Sequence, residues 1–147
     1  MEKISNDLMR VISDAKQTID NMTQEEWNFR SAPAKWSKKE ILGHLIDSAA
    51  NNHQRFVRAQ FENAPAVTYS QDNWVSFQKY FDEPVENIIE LWISYNKHLA
   101  YLISIIPEDK LKNHCDIFRD KPVTLEWIIT DYVRHLKYHL DQIIIKE

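Results

Sequence analysis

The segment Asp131-Tyr-Val-Arg-His135-Leu-Lys-Tyr-His139-Leu-Asp-Gln142 carries a helical pattern and a possible metal-binding pair together. The apolar residues recur at helical spacing in a longer stripe made of Leu125, Ile129, Tyr132, Leu136, Leu140 and Ile143. His135 and His139 border this stripe four residues apart, so both imidazoles can reach one metal ion. The pair alone is a weak signal, and its meaning depends on a third ligand.

Three other segments have the same periodicity, which predicts four long helices in all. We expect these helices at Ser5 to about Met22, Ser37 to about Asn63, Glu83-Pro84 to Ile106, and Thr124 to about Ile145. The connections after the second and third helices are longer than simple hairpins require. The sequence therefore predicts an all-α fold, a four-helix bundle, in a single domain spanning residues 1–147.

Short motifs place the helix starts. Thr23-Gln-Glu-Glu26 and Ser37-Lys-Lys-Glu40 have the capping-box pattern, and the first of them opens a short helix that carries Trp27. Thr124 is the expected N-cap of the last helix. Within the long connection from Ala66 to Asp82, a helical turn is expected at about Asn73 to Lys79.

Composition excludes several classes of protein. The chain has one glycine, one cysteine and a net charge of -4, so all-β folds, phosphate-cradling loops, thiolate metal clusters and nucleic-acid binding are disfavoured. No apolar run approaches the roughly 20 residues that cross a bilayer, and the N-terminus has no export signal. We expect a cytoplasmic protein without a nucleic-acid or membrane partner.

The third metal ligand is sought on the second long helix. One flank of that helix carries short polar groups and a histidine where a solvated flank would carry Lys and Glu, namely His44, Asp47, Ser48, Asn51 and Arg55. If this flank faces the last helix, then His44, His135 and His139 form a three-histidine site with positions open for water or substrate. Zinc or nickel is the preferred metal, with iron and manganese as alternatives.

Neighbouring side chains are candidates for orienting these histidines. Asp47, Asp131 and Gln142 each stand about one turn from a proposed ligand, and Asp47 is alternatively a general base. Leu136 stands where a zincin protease would have its glutamate, so that class is disfavoured.

Two stretches then resemble the DinB superfamily and, within it, the YfiT-like proteins. They are Lys35-Trp36-Ser37-Lys-Lys-Glu40-Ile-Leu-Gly43-His44-Leu-Ile-Asp47-Ser48 and Thr124-Leu-Glu126-Trp127 with His135-x-x-x-His139-x-x-Gln142-Ile143. The resemblance implies an up-down-down-up four-helix bundle and a divalent metal on His44, His135 and His139. It also implies a metal that activates a low-molecular-weight thiol, such as bacillithiol, or a water.

Other residues are assigned less definite roles. Arg55 and Trp74 are expected at a substrate pocket, although Arg55 is equally suited to a structural ion pair. His53 lies half a turn away from His44 and is interpreted as structural or as part of a second surface, while His98 is expected to be buried and hydrogen-bonded. Cys115 is interpreted as an incidental thiol and not as a nucleophile.

Two functions from different classes fit these observations. The first is a metal-dependent thiol S-transferase or hydrolase that acts on a small electrophile. The second is a non-catalytic bundle, linked to a stress response, that binds metal or serves in dimerisation. A homodimer is expected from the family resemblance.

Overall fold

The computed structural model of the chain describes residues 1–145, and most of them are helical. The four long helices are α1 (Glu2–Ile19), α3 (Lys38–Arg58), α5 (Val85–Ile105) and α6 (Leu125–Ile144). The shorter elements are α2 (Gln24–Asn28), α4 (Gln71–Gln78), a 3-10 turn at Glu108–Lys110, β1 (His114–Cys115) and β2 (Val123–Thr124). The predicted all-α bundle is confirmed, with a minor two-stranded hairpin added.

The helix starts follow the predicted caps. The Ser37 hydroxyl accepts the Glu40 amide at 3.2 Å, and the Glu40 carboxylate accepts the Ser37 amide at 2.7 Å. Thr23 opens α2 with the same reciprocal pair, and the Thr124 hydroxyl accepts the Trp127 amide at 3.2 Å. These bonds satisfy amides that a helix start leaves without a partner, so α3 and α6 begin where the sequence predicts.

The principal packing pairs of the long helices close a ring in the order α1, α5, α3, α6. Consecutive long helices α1 and α3 therefore lie at opposite corners, and so do α5 and α6, so the connections after α1 and after α5 cross the bundle. The ring encloses a core whose largest members are Trp27, Trp92, Tyr132 and Phe56. Because α3 packs beside α6, the two histidine-bearing edges face each other.

Two of the long helices have boundaries that differ from the prediction by three residues or more. α1 spans Glu2–Ile19, so it begins and ends three residues before the predicted Ser5 to Met22. α3 stops at Arg58 instead of Asn63, because residues 59–61 form a turn and Ala64 then adopts a positive φ of 45° ahead of Pro65. The hairpin was not predicted, since two-residue strands are too short to show a period.

The connections after α3 and after α5 contact each other beside the C-terminal end of α3. The Val67 amide donates to the Asp116 carbonyl at 3.0 Å, and the Asp116 amide donates to the Pro65 carbonyl at 3.0 Å. The Asn113 side chain donates to the Ala59 carbonyl at 2.9 Å. Within residues 1–145, no helix is long and apolar enough to cross a membrane.

Candidate metal centre

Three histidines meet where α3 packs against α6. His44 comes from α3, and His135 and His139 come from successive turns of α6. The Nε2 atoms of His44 and His135 are 3.3 Å apart, and the His139 ring centroid lies 4.8 Å from that of His44 and 4.5 Å from that of His135. One ligand atom from each ring lies within 4.8 Å of the other two, so the three rings can bind one cation.

The surroundings keep these imidazoles neutral. Burial and the neighbouring rings of His135 and His139 lower the pKa of His44 to about 3. The pKa of His135 is lowered to about 4, mainly by burial and to a smaller extent by the neighbouring His139. Burial also lowers the pKa of His139. Since a metal binds the neutral imidazole, the site is in its ligating form at neutral pH.

The outer ring nitrogens differ in their partners. His139 Nδ1 lies 2.8 Å from Gln142 Oε1, so the Gln142 amide fixes that ring with its Nε2 free. The Nδ1 atoms of His44 and His135 are buried without a hydrogen-bond partner among the described residues. Asp131 forms an ion pair with Arg134 and makes no hydrogen bond to His135. Its negative charge opposes part of the lowering of the His135 pKa that burial causes.

Asp47 is engaged away from the histidines. Its Oδ1 accepts from Tyr80 Oη at 2.6 Å and from Gln78 Nε2, while its buried Oδ2 has no partner in the part of the chain that the structure describes. Burial raises the pKa of the Asp47 carboxyl, against the lowering effect of those two hydrogen bonds. The structure thus places Asp47 beneath the segment after α4 and not on the outer nitrogen of His44.

Asp47 belongs to a stripe of α3 that holds this segment, together with Lys39 and Gly43 at four-residue spacing. The Lys39 ammonium donates to the Phe81 carbonyl at 2.8 Å. Gly43 leaves room for the Tyr80 ring, because a Cβ atom at Gly43 would lie 2.2 Å from Tyr80 Cδ2. We call Lys39, Gly43 and Asp47 the α3 clamp.

A partly open cavity of about 520 Å³ adjoins the histidines. His139 and Gln142 line it, and Trp36, whose ring centroid is 4.9 Å from that of His44, forms part of its apolar wall. Its other lining residues come from the connection before α3, from the ends of α3 and α6, and from the first turn of α4: Phe29, Ser31, Ala34, Lys35, Lys38, Ile41, Gln71, Asp72 and Ile145. A small molecule can therefore approach His139 from this side.

A second cavity of about 140 Å³ lies on the other side, where His135 and Asp131 line it with Arg55. The Arg55 guanidinium donates to the Val67 carbonyl at 2.8 and 3.2 Å and to Asn52 Oδ1 at 3.2 Å, so it ties α3 to the following connection. Trp74 lines neither cavity and packs against Tyr69 at 5.6 Å between ring centroids.

The remaining sequence candidates are placed as follows. The expectation for His98 is wrong, because His98 is exposed on α5, about 100° around the helix from the buried Leu99. Cys115 is fully buried, its thiol lies 3.0 Å from the Pro65 carbonyl, and burial raises its pKa. These properties describe an inert thiol, in line with the interpretation from sequence.

Sequence reasoning missed Gln78 and Tyr80, which bind Asp47, and Gln71 and Asp72, which line the larger cavity. All four lie in or beside the short helix α4, whose eight residues bury only Val75 and so show little periodicity. Gly43, the only glycine of the chain, was the available signal, because a lone glycine inside a helix indicates a close approach by another group.

The donor set fits a divalent cation. Three desolvated, neutral imidazoles with no thiolate or carboxylate among them are the ligands of an open zinc site, and imidazole also suits nickel, iron and manganese. Residues 1–145 contain no other cluster of three such ligand groups.

Two known proteins are similar in sequence to this chain. YfiT of Bacillus subtilis, named as a candidate metal-dependent hydrolase, is 23% identical over 140 residues, which are 92% of this chain and 78% of YfiT. A candidate metal-dependent hydrolase of Oceanobacillus iheyensis is 25% identical over 96 residues, which are 65% of this chain and only 55% of that protein.

The fold and the family are shown by two further matches. The solved structure of YfiT, described as a four-helix bundle of unusual topology, matches with a TM-score of 0.87 and 22% identity, over 96% of this chain and 82% of YfiT. A family model for the DinB superfamily matches residues 8–143. This match spans nearly the whole sequence, so the chain belongs to the DinB superfamily.

Proposed function

We propose that this chain is a metal-dependent enzyme, an S-transferase that uses a low-molecular-weight thiol or else a hydrolase, acting on a small electrophile. The observation that carries the proposal is the convergence of three neutral imidazoles beside a cavity of about 520 Å³. The names of the two relatives support metal-dependent hydrolysis as the coarser description.

The protein residues have separable roles in this proposal. His44, His135 and His139 would hold a divalent cation, which would lower the pKa of a coordinated water toward neutrality or keep a coordinated thiol as its thiolate. Gln142 fixes the His139 ring at the cavity wall, and Trp36 covers the His44 ring from the same side. The apolar wall suits a substrate with an apolar body, and Lys35 and Lys38 add two cationic residues to the cavity lining.

The first experiment measures metal content. Protein stripped with a chelator and reloaded with zinc or nickel is expected to retain one equivalent, whereas His139→Gln is expected to retain far less, because one of three ligands is lost. His114→Gln is the matched control, since His114 is an exposed histidine of β1 and lies outside α3 and α6, the two helices that carry the proposed ligands. Reloaded protein that holds only a small fraction of an equivalent would refute the three-ligand assignment.

The second experiment measures turnover. Model electrophiles are offered to the reloaded enzyme with bacillithiol, with glutathione, and without a thiol. Thiol-dependent product indicates transfer, and thiol-independent product indicates hydrolysis. Either activity is expected to disappear in His139→Gln and to persist in His114→Gln. Full metal loading without turnover in any arm would instead favour the non-catalytic metal-binding bundle.

A further inference from the structure

A second pair of histidines lies between α3 and α5, away from the metal centre. His53 follows His44 by nine residues, which is half a turn around α3, so it faces α5 and not α6. Its ring contacts His98 of α5, and its Nδ1 lies 3.1 Å from the hydroxyl of Tyr95. His98 is exposed and His53 is half-buried, so solvent reaches the pair.

The geometry of this pair matches that of the metal centre. The ring centroids of His53 and His98 are 5.2 Å apart with the planes at 72°, and those of His44 and His135 are 5.1 Å apart, also at 72°. The Tyr95 hydroxyl hydrogen-bonds to Nδ1 of His53, just as the Gln142 side-chain oxygen hydrogen-bonds to Nδ1 of His139. With the proton on Nδ1 and the phenol oxygen accepting it, the Nε2 lone pair of His53 is free.

We propose that His53 and His98 form a second, surface metal site that takes a late first-row divalent cation, with Tyr95 as the residue that orients His53. Two imidazoles favour copper, nickel and zinc over magnesium or calcium, which prefer oxygen ligands. Two protein ligands leave the remaining coordination positions to water, so this site is expected to bind more weakly than the three-histidine centre and to exchange its ion readily.

The test is a calorimetric titration of the tag-free, metal-stripped full chain with Ni²⁺ and, separately, with Zn²⁺. Wild-type protein is expected to show two classes of site, a tighter one and a weaker one, each at one equivalent per chain. His98→Asn and His53→Asn should each remove the weaker class. His139→Gln should remove the tight binding but leave the His53–His98 class in place, with at most a second weak class on the remaining pair of His44 and His135. Tyr95→Phe should weaken the weaker class by about 10- to 100-fold, as for other partners that orient a ligating imidazole.

His114→Asn is the matched control, and circular dichroism confirms that each variant folds. His98 is exposed, so His98→Asn keeps the test valid even if His53→Asn is unstable. A single class in the wild type would overturn the proposal, and so would a weaker class that survives His98→Asn. A weaker class at half an equivalent per chain would also overturn it, because the cation would then bridge two chains.

Discussion

The metal-free protein should lose stability on mild acidification, because its buried imidazoles resist protonation in the folded state. The pKa of His44 falls to about 3 and that of His135 to about 4, whereas an unfolded histidine titrates near 6.5. Between about pH 7.5 and about pH 5.5 the unfolded chain therefore binds protons that the folded chain excludes. Stability is fully present above the unfolded pKa and declines as the pH falls below it.

The magnitude follows from the same values. At about pH 5.5 each of the two histidines lowers the free energy of unfolding by about 1 kcal/mol relative to about pH 7.5, and together they lower it by about 2 to 3 kcal/mol. For a urea dependence of about 2 kcal/mol per molar, the unfolding midpoint falls by about 1 M. Asp47 acts in the opposite sense, because burial raises its pKa and its neutral form is favoured on folding.

Urea titrations of chelator-treated protein at the two pH values, followed by circular dichroism, measure this loss. His44→Asn and His135→Asn should each show a clearly smaller fall in free energy than the wild type, whatever their stability at the higher pH. The double variant should show the smallest fall, which then comes from the other histidines, such as His139, whose pKa burial lowers. The reasoning is refuted if the wild-type midpoint is the same at both pH values, or if the double variant loses as much stability as the wild type.

Three further outcomes are expected. Gly43→Ala should lower the free energy of unfolding by about 1 to 3 kcal/mol in urea titrations. The added Cβ would overlap the Tyr80 ring, and the cost of that overlap exceeds the gain of about 1 kcal/mol in helix propensity. A neutral or stabilised variant would contradict the close approach. Ser37→Ala should cost about 1 kcal/mol in the same assay, since it removes the cap that pairs with Glu40, and an unchanged midpoint would show that the cap contributes nothing. Cys115 should react with a disulfide reagent at neutral pH only as fast as the protein opens, so a rate equal to that of the urea-unfolded chain would disprove its burial.

Local signals predicted much of the fold and the centre of the site. Ser37 and Thr124 show their capping role within a few residues of sequence, and the structure uses both. The histidines were predictable because periodicity alone puts His44 and His135 on helix edges that border the core. Whether those edges meet depends on which helices are neighbours, and the family resemblance supplied that information.

The surroundings of the site depend on contacts between distant parts of the chain. Tyr80 reaches Asp47 across 33 residues, and Gln78 reaches it across 31, from a segment with little periodicity. The side chain of Asp47 was assigned to the histidines because they are near in sequence, whereas the space left by Gly43 brings Tyr80 nearer in three dimensions. The exposure of His98 depends likewise on how α5 is rotated in the bundle, and the pattern of α5 did not fix that rotation.

The α3 clamp links the three-histidine centre mechanically to the segment from Gln78 to Phe81. His44 and the clamp residue Gly43 are adjacent on one helix. Any shift or rotation of α3 therefore moves His44 together with Gly43, against which Tyr80 of the segment after α4 packs. The distance between His44 and that segment is therefore insensitive to movements of the bundle. A change in the size of the cavity therefore falls to lining parts that the clamp does not hold, which are the connection before α3, the first turn of α4, with Gln71 and Asp72, and the C-terminal end of α6.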